Sequence, residues 1–80
     1  MKIEILGTGC PKCRKLTKNA EKALRELGSE ADIIKVKKIS EIMKYGPVVT
    51  PALVISGNVL TTGKVPSVDE IKYLIGRADR

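Results

Sequence analysis

The chain opens with alternating polar and apolar side chains, Lys2, Ile3, Glu4 and Ile5, inside the stretch Met1 to Leu6. A period of two over so short a run predicts a strand buried on at least one face. Gly7-Thr8-Gly9 then interrupts the pattern as a turn. From about Pro11 to Leu27 the period lengthens. Leu16, Ala20, Ala23, Leu24 and Leu27 recur at helical spacing and predict an amphipathic helix with one apolar stripe, stopped by Gly28. Ala31 to Val36, with its β-branched pair Ile33-Ile34, predicts a second strand. Strand, helix and strand of these lengths make a right-handed βαβ unit with parallel strands.

The second half is no repeat of the first. Ile39 to Tyr45 predicts a short helix with Ile39, Ile42 and Met43 on one face, ended by Gly46-Pro47. Ala52 to Ile55 predicts a third strand and Val59 to Thr61 a fourth, joined by a type II′ turn at Gly57-Asn58. Gly63 to Pro66 reads as a loop. Ser67 and Glu70 form a capping box for a last helix whose apolar positions are Val68, Ile71, Leu74 and Ile75, with Gly76 to Arg80 fraying. The order is βαβαββα, with no linker, and the 80 residues read as one small domain spanning 1–80.

The chemistry sits at the first strand–helix junction. Both cysteines of the chain lie there, as Cys10-Pro11-Lys12-Cys13. With Cys10 as N-cap, Pro11 occupies the first helical position, where its missing N–H is harmless and its fixed φ suits the helix. The unpaired amides of that first turn and the positive end of the helix dipole favour a thiolate at Cys10, and Lys12 adds a positive charge beside it. Cys13 lies one turn further in, within reach of a disulfide and more shielded. An attacking thiolate followed by a resolving thiol is the division of labour that thiol–disulfide exchange requires. A purely stapling disulfide closes too small a loop to stabilise much. A structural zinc site takes about four ligands. Two cysteines and no histidine do not complete one in a single protomer, although metal binding by the pair alone stays open.

Composition narrows the setting. With no Trp, no Phe and two Tyr, the core must be aliphatic. No stretch approaches a membrane span, and the N-terminus lacks the layout of a signal peptide, so the expectation is a cytoplasmic protein without membrane association. Cysteines that are few and paired as CxxC fit a reducing compartment. The net charge of +6 is concentrated at Lys12, Arg14, Lys15 and Lys18 and at Lys35, Lys37 and Lys38. Most of this is a solvated basic surface. Cations in a helix's first turn oppose its dipole, so the first cluster suits an anionic thiolate or an acidic partner surface at that end. No aromatic stacking residue accompanies the charge, and no nucleic-acid partner is expected. Absence of Gln and His beside plentiful Lys, Glu and Ile leans toward a thermophilic source.

Gly-Thr-Gly-Cys-Pro-Lys-Cys at 7–13, Val-Thr-Pro-Ala-Leu-Val-Ile at 49–55, and Gly63 with Pro66-Ser67 together resemble the thioredoxin/glutaredoxin superfamily, in particular its small archaeal and bacterial redox-active disulfide proteins. The resemblance spans essentially the whole chain. It implies a minimal thioredoxin-like α/β fold, a four-stranded mixed sheet with three helices. It implies a monomeric protein disulfide oxidoreductase that needs no metal or other cofactor, acts on disulfides in partner proteins and is served by a thioredoxin-reductase-like electron donor. It further implies that Pro51 is cis and lies against the disulfide, with the backbone of Thr50 contacting the substrate. Trp before the first cysteine is replaced here by Gly9, and the middle pair Pro-Lys looks more glutaredoxin-like. The Gly-Gly and paired Asp that hold glutathione are not reproduced around Gly63 and Asp69. Thioredoxins carry a buried acid six residues before the nucleophile; Glu4 has that offset and is a candidate proton relay to Cys13, against a plainer reading as a partly exposed strand residue. Tyr45 and Met43 are candidates for the site rim, against a core or helix-end role. Lys2 to Gly28 also resembles the start of a heavy-metal-associated domain, which would carry copper(I) or zinc between Cys10 and Cys13.

Overall fold

The computed structural model describes residues 2–9 and 11–78. The elements are β1 (Lys2–Leu6), α1 (Pro11–Leu27), β2 (Asp32–Val36), α2 (Ile39–Ile42) continued by a 3-10 turn at Met43–Tyr45, β3 (Ala52–Ile55), β4 (Asn58–Thr62) and α3 (Val68–Ala78). Among the described residues the sheet has four strands in the order β2-β1-β3-β4. β1 is parallel to β2 and antiparallel to β3, and β3 is antiparallel to β4. The mixed sheet and three α-helices are those of a minimal thioredoxin-like fold.

Alternation along β1 divides the core in two. Ile3 and Ile5 face α1 and α3, packing with Leu16, Ala20, Leu53 and Ile71. Leu6 faces the other way, packing with Val36, Ile42 and Val54 beneath α2. Each aliphatic side chain buried this fully stabilises the fold by about 1.5–3 kcal/mol relative to leaving it in water. The helical stripe of α1 is buried from Leu16 to Leu24, but Leu27 is exposed because the helix ends as it leaves the sheet. Gly28, at φ +63°, donates its N–H to Arg25 O and Ser29 donates to Leu24 O. This is the paired hydrogen bonding of a Schellman cap, which places its left-handed residue where glycine has no Cβ penalty. α3 begins with the expected capping box: Glu70 N–H donates to Ser67 Oγ at 3.2 Å and Ser67 N–H to Glu70 Oε1 at 3.4 Å. Asn19 Nδ2 on α1 donates to Pro66 O at 3.0 Å and fixes the approach to that cap.

Four sequence expectations are revised. The hairpin turn is centred on Ser56-Gly57, both at positive φ, with Ile55 paired to Asn58. Positive φ at both central positions marks a type I′ turn one residue earlier than the II′ turn expected. On α2 only Ile42 is buried; Ile39 is 65% and Met43 69% exposed, because four helical residues followed by a 3-10 turn do not keep one apolar face inward. β4 runs from 58 to 62 and contains a bulge, since Leu53 pairs with Thr61 and Val54 with Val59, leaving Leu60 as the extra residue. α3 continues through Gly76 to Ala78 rather than fraying there. The expectations at Met1 and at residues 79–80 lie outside the described residues.

Candidate functional site around Cys13

β1 and β3 are central and adjacent, so the chain leaving Leu6 and the chain entering Ala52 meet at the same end of the sheet. Gly7 and Pro51 flank that last pair. Gly7 donates its N–H to Val36 O at 3.0 Å, which ties the turn to β2. α1 starts at Pro11 and carries Cys13 back over Gly7. A Cβ placed on Gly7 would overlap the Cys13 Sγ and would lie 3.4 Å from the Cys13 Cβ and 4.0 Å from the Pro51 Cα. The glycine is thus the gap into which the sulfur settles. Cys13 is 5% exposed, and its carbonyl accepts the Thr17 hydroxyl at 2.9 Å, one turn further along α1.

Pro51 is buried and its peptide bond with Thr50 is cis. The segment leading to it is held from behind by one donor: Gly63 N–H is shared between Val49 O at 2.7 Å and Pro51 O at 2.9 Å. A Cβ on Gly63 would stand 3.1 Å from Val49 Cγ1, so this loop packs closely against the 49–51 segment. Thr50 itself is exposed. The structure therefore brings Cys13 and Pro51 together, with Thr50 on the accessible side. Pro11 and Lys12 are exposed in the first turn of α1. Cys10, expected to be the N-cap and the nucleophile, lies outside the described residues.

Glu4 has a hydrogen-bond partner of its own. It is 8% exposed, and its Oε2 accepts the Tyr45 hydroxyl. Tyr45 packs on the Leu6 side of the sheet, beneath α2, whereas Cys13 lies on the α1 side over Gly7. The carboxylate is therefore neither a partly exposed strand residue nor on the sulfur's side of the sheet. Lys2 Nζ is 3.9 Å from Glu4 but 60% exposed, and such a pair contributes little. Accepting from Tyr45 raises the tyrosine's pKa from its ordinary value near 10.0, with desolvation and the Glu4 and Glu41 charges acting in the same direction. Tyr45 is thus a half-buried partner of Glu4, and Met43 is on the surface.

Two features of the site go beyond what the sequence pattern predicts. Gly7 reads as a turn residue that opens the 7–13 motif; its position at a strand end, three before the first cysteine, is the available signal for a close approach. The second is a cavity of about 270 Å³ beside Cys13, floored by Ile5 and Gly7 and walled by Arg14, Lys35 and Lys37. Lys35 reaches it because it pairs with Ile5 in the parallel register of β2 on β1. α1 has no acidic residue in its first turn. The end of the sheet that holds the sulfur is consequently cationic.

The second half of the fold, β3-β4-α3, ends in a helix and does not follow the ββαβ order of a heavy-metal-associated domain. None of the described helices is long and apolar enough to cross a membrane. Residues 1–76 match the family model described as "Thioredoxin domain". A protein named thioredoxin from Methanothermobacter thermautotrophicus is 41% identical over 75 residues, covering 94% of this chain and 97% of the relative. A protein named thioredoxin from Methanocaldococcus jannaschii is 46% identical over 80 aligned positions, covering 94% of this chain and 92% of the relative. With a match of that extent, and with a cis-proline packed beside a helix-borne cysteine, the chain belongs to the thioredoxin family of thiol–disulfide oxidoreductases.

Proposed function

We propose that the protein reduces or exchanges disulfides in partner proteins through Cys10 and Cys13, as a monomer and a single domain of residues 1–80. In this reading the Cys10 thiolate attacks one sulfur of the client disulfide, forming a mixed disulfide and releasing the client's other sulfur as a thiolate. The Cys13 thiolate then attacks the Cys10 sulfur, closing the 10–13 disulfide and releasing the second client thiolate. The client gains two electrons and the protein loses two, and a dithiol donor of the thioredoxin-reductase type restores them. The released client thiolates take up protons at neutral pH.

The observation that carries this reading is the seat of Cys13: its sulfur rests in the gap left by Gly7, with the buried cis-Pro51 alongside. A sulfur confined there is ready to resolve and poorly placed to attack a bulky client first. Pro11, at the helical start, and the charge of Lys12 favour the anion at Cys10. The exposed Thr50 offers its backbone to an extended client segment, and Pro51 lies where that segment would pass Cys13. Glu4 serves in this reading as the buried anchor of Tyr45 and takes no part in proton transfer.

Cys13→Ser is the direct test. With the resolving thiol gone, a mixed disulfide between Cys10 and a client should accumulate and be visible as a mass adduct that dithiothreitol removes. No adduct with any protein disulfide would refute these roles. The intact pair should also equilibrate with a glutathione or dithiothreitol buffer between about −270 and −120 mV, the span of known exchange proteins.

A further inference from the structure

We infer that the cationic cavity beside Cys13 is a subsite for a carboxylate side chain that a protein client carries next to its reactive disulfide. The inference rests on the exchange reaction proposed above and specifies the clients it favours.

The cavity lies at the carboxyl ends of the parallel strands β1 and β2, where Gly7 and Gly9 leave the backbone open. Three cations reach it from different parts of the chain: Arg14 from the first turns of α1, Lys35 from β2 and Lys37 from the loop after it. Among the described residues none of the three forms an ion pair. The nearest acids in sequence point to no compensation either. Glu21 is seven residues beyond Arg14, Asp32 is at the opposite end of β2, and Glu41 follows on α2, across the sheet. Like charges gathered around one concavity repel each other, and an anion placed among them relieves that repulsion.

Size decides which kind of anion. The volume of about 270 Å³ falls just below the 300–1,000 Å³ typical of pockets that enclose a whole small-molecule ligand. It suits a carboxylate side chain with a few of its waters, each of which occupies about 30 Å³. Position decides its source. Gly9, which immediately precedes Cys10 in the chain, also lines the cavity. A client segment running past Thr50 toward Cys13 would project a neighbouring side chain on this side.

The test uses the intact protein and four disulfides. Two are cysteine-bridged peptides that differ only in Asp or Asn beside a cysteine; two are small molecules, dithiodiglycolate and hydroxyethyl disulfide. Three exposed contacts gathered at one cavity should together give the Asp peptide a kcat/KM about tenfold above the Asn peptide at low salt. The ratio should approach one at about 1 M salt, where screening is complete within about 3 Å. In Lys35→Gln/Lys37→Gln the ratio should fall to within about twofold, and in Lys35→Glu/Lys37→Glu it should invert, the Asn peptide turning over faster than the Asp peptide. Turnover without any charge preference would overturn the subsite while leaving the exchange reaction standing. A preference confined to the small pair would overturn its assignment to protein clients. No turnover with any of the four would remove the exchange reaction and the subsite with it.

Discussion

Gly7→Ala should damage the protein through one atom. Two effects oppose each other. Replacing glycine stiffens the unfolded chain and by itself stabilises by about 0.4–1 kcal/mol. The new methyl, however, must occupy the space of the Cys13 Sγ, with the Cys13 Cβ at 3.4 Å and the Pro51 Cα at 4.0 Å behind it. Overpacking at a filled site costs about 1–3 kcal/mol. Cys13 is 5% exposed, so its sulfur has little room to turn away without leaving the site. The second effect wins, by about 1–2 kcal/mol. In a domain this small that lowers Tm by roughly 5–15 °C. If the same energy opposes the approach of Cys13 to a mixed disulfide, resolution slows about 5- to 30-fold. Urea unfolding of the reduced protein measures the first quantity; acid-quenched mass spectrometry of the mixed disulfide measures the second. A cycle with Cys13→Ala isolates the cause: without the sulfur, Gly7→Ala should be neutral or stabilising. Equal destabilisation in both backgrounds would refute the reasoning.

Two further predictions follow from contacts away from the sulfur. Tyr45→Phe removes the hydroxyl that Glu4 accepts and leaves a buried carboxylate short of a partner, which should lower stability at pH 7 by about 1–3 kcal/mol in urea melts. Because the folded-state pKa of Tyr45 is raised, the wild-type contribution is complete below about pH 10 and is lost as pH climbs through the raised value; the Phe variant should lack this alkaline loss, and absorbance titration of the phenolate should show the upward shift. Ser67→Ala deletes the acceptor of Glu70 N–H and should destabilise by about 1 kcal/mol, with faster amide exchange confined to the first turn of α3.

What the residues announced in advance were features set by near neighbours. The alternation of β1, the stripe of α1, the Gly28 stop and the Ser67–Glu70 box each depend on a few consecutive positions, and each is found where expected save that the stripe ends at Leu24 and leaves Leu27 exposed. Thr50-Pro51 was legible through resemblance alone, since nothing local specifies its isomer. The features that differ from the local pattern share a different origin. Gly57-Asn58 is a good turn pair, but the register of β3 with β4, including the extra Leu60, selects Ser56-Gly57. The Glu4–Tyr45 pair joins residues 41 apart on two elements, and the offset of Glu4 from Cys10 carried no information about which side of the sheet its carboxylate takes. Gly7 looked like an ordinary turn residue because its neighbour Cys13 arrives only when α1 folds back. The cavity needed Lys35 in register with Ile5, a relation that exists only between strands.

The irregularity at Leu60 has a consequence for behaviour at high concentration. β4 is one outer margin of the sheet and β2 the other. A kinked margin on one side, and a lysine-bearing one on the other, gives a stray β-strand no straight, uncharged ladder to extend. A small aliphatic sheet shielded in this way resists fibrillar self-association along its margins, and straightening β4 by deleting Leu60 would expose that hazard.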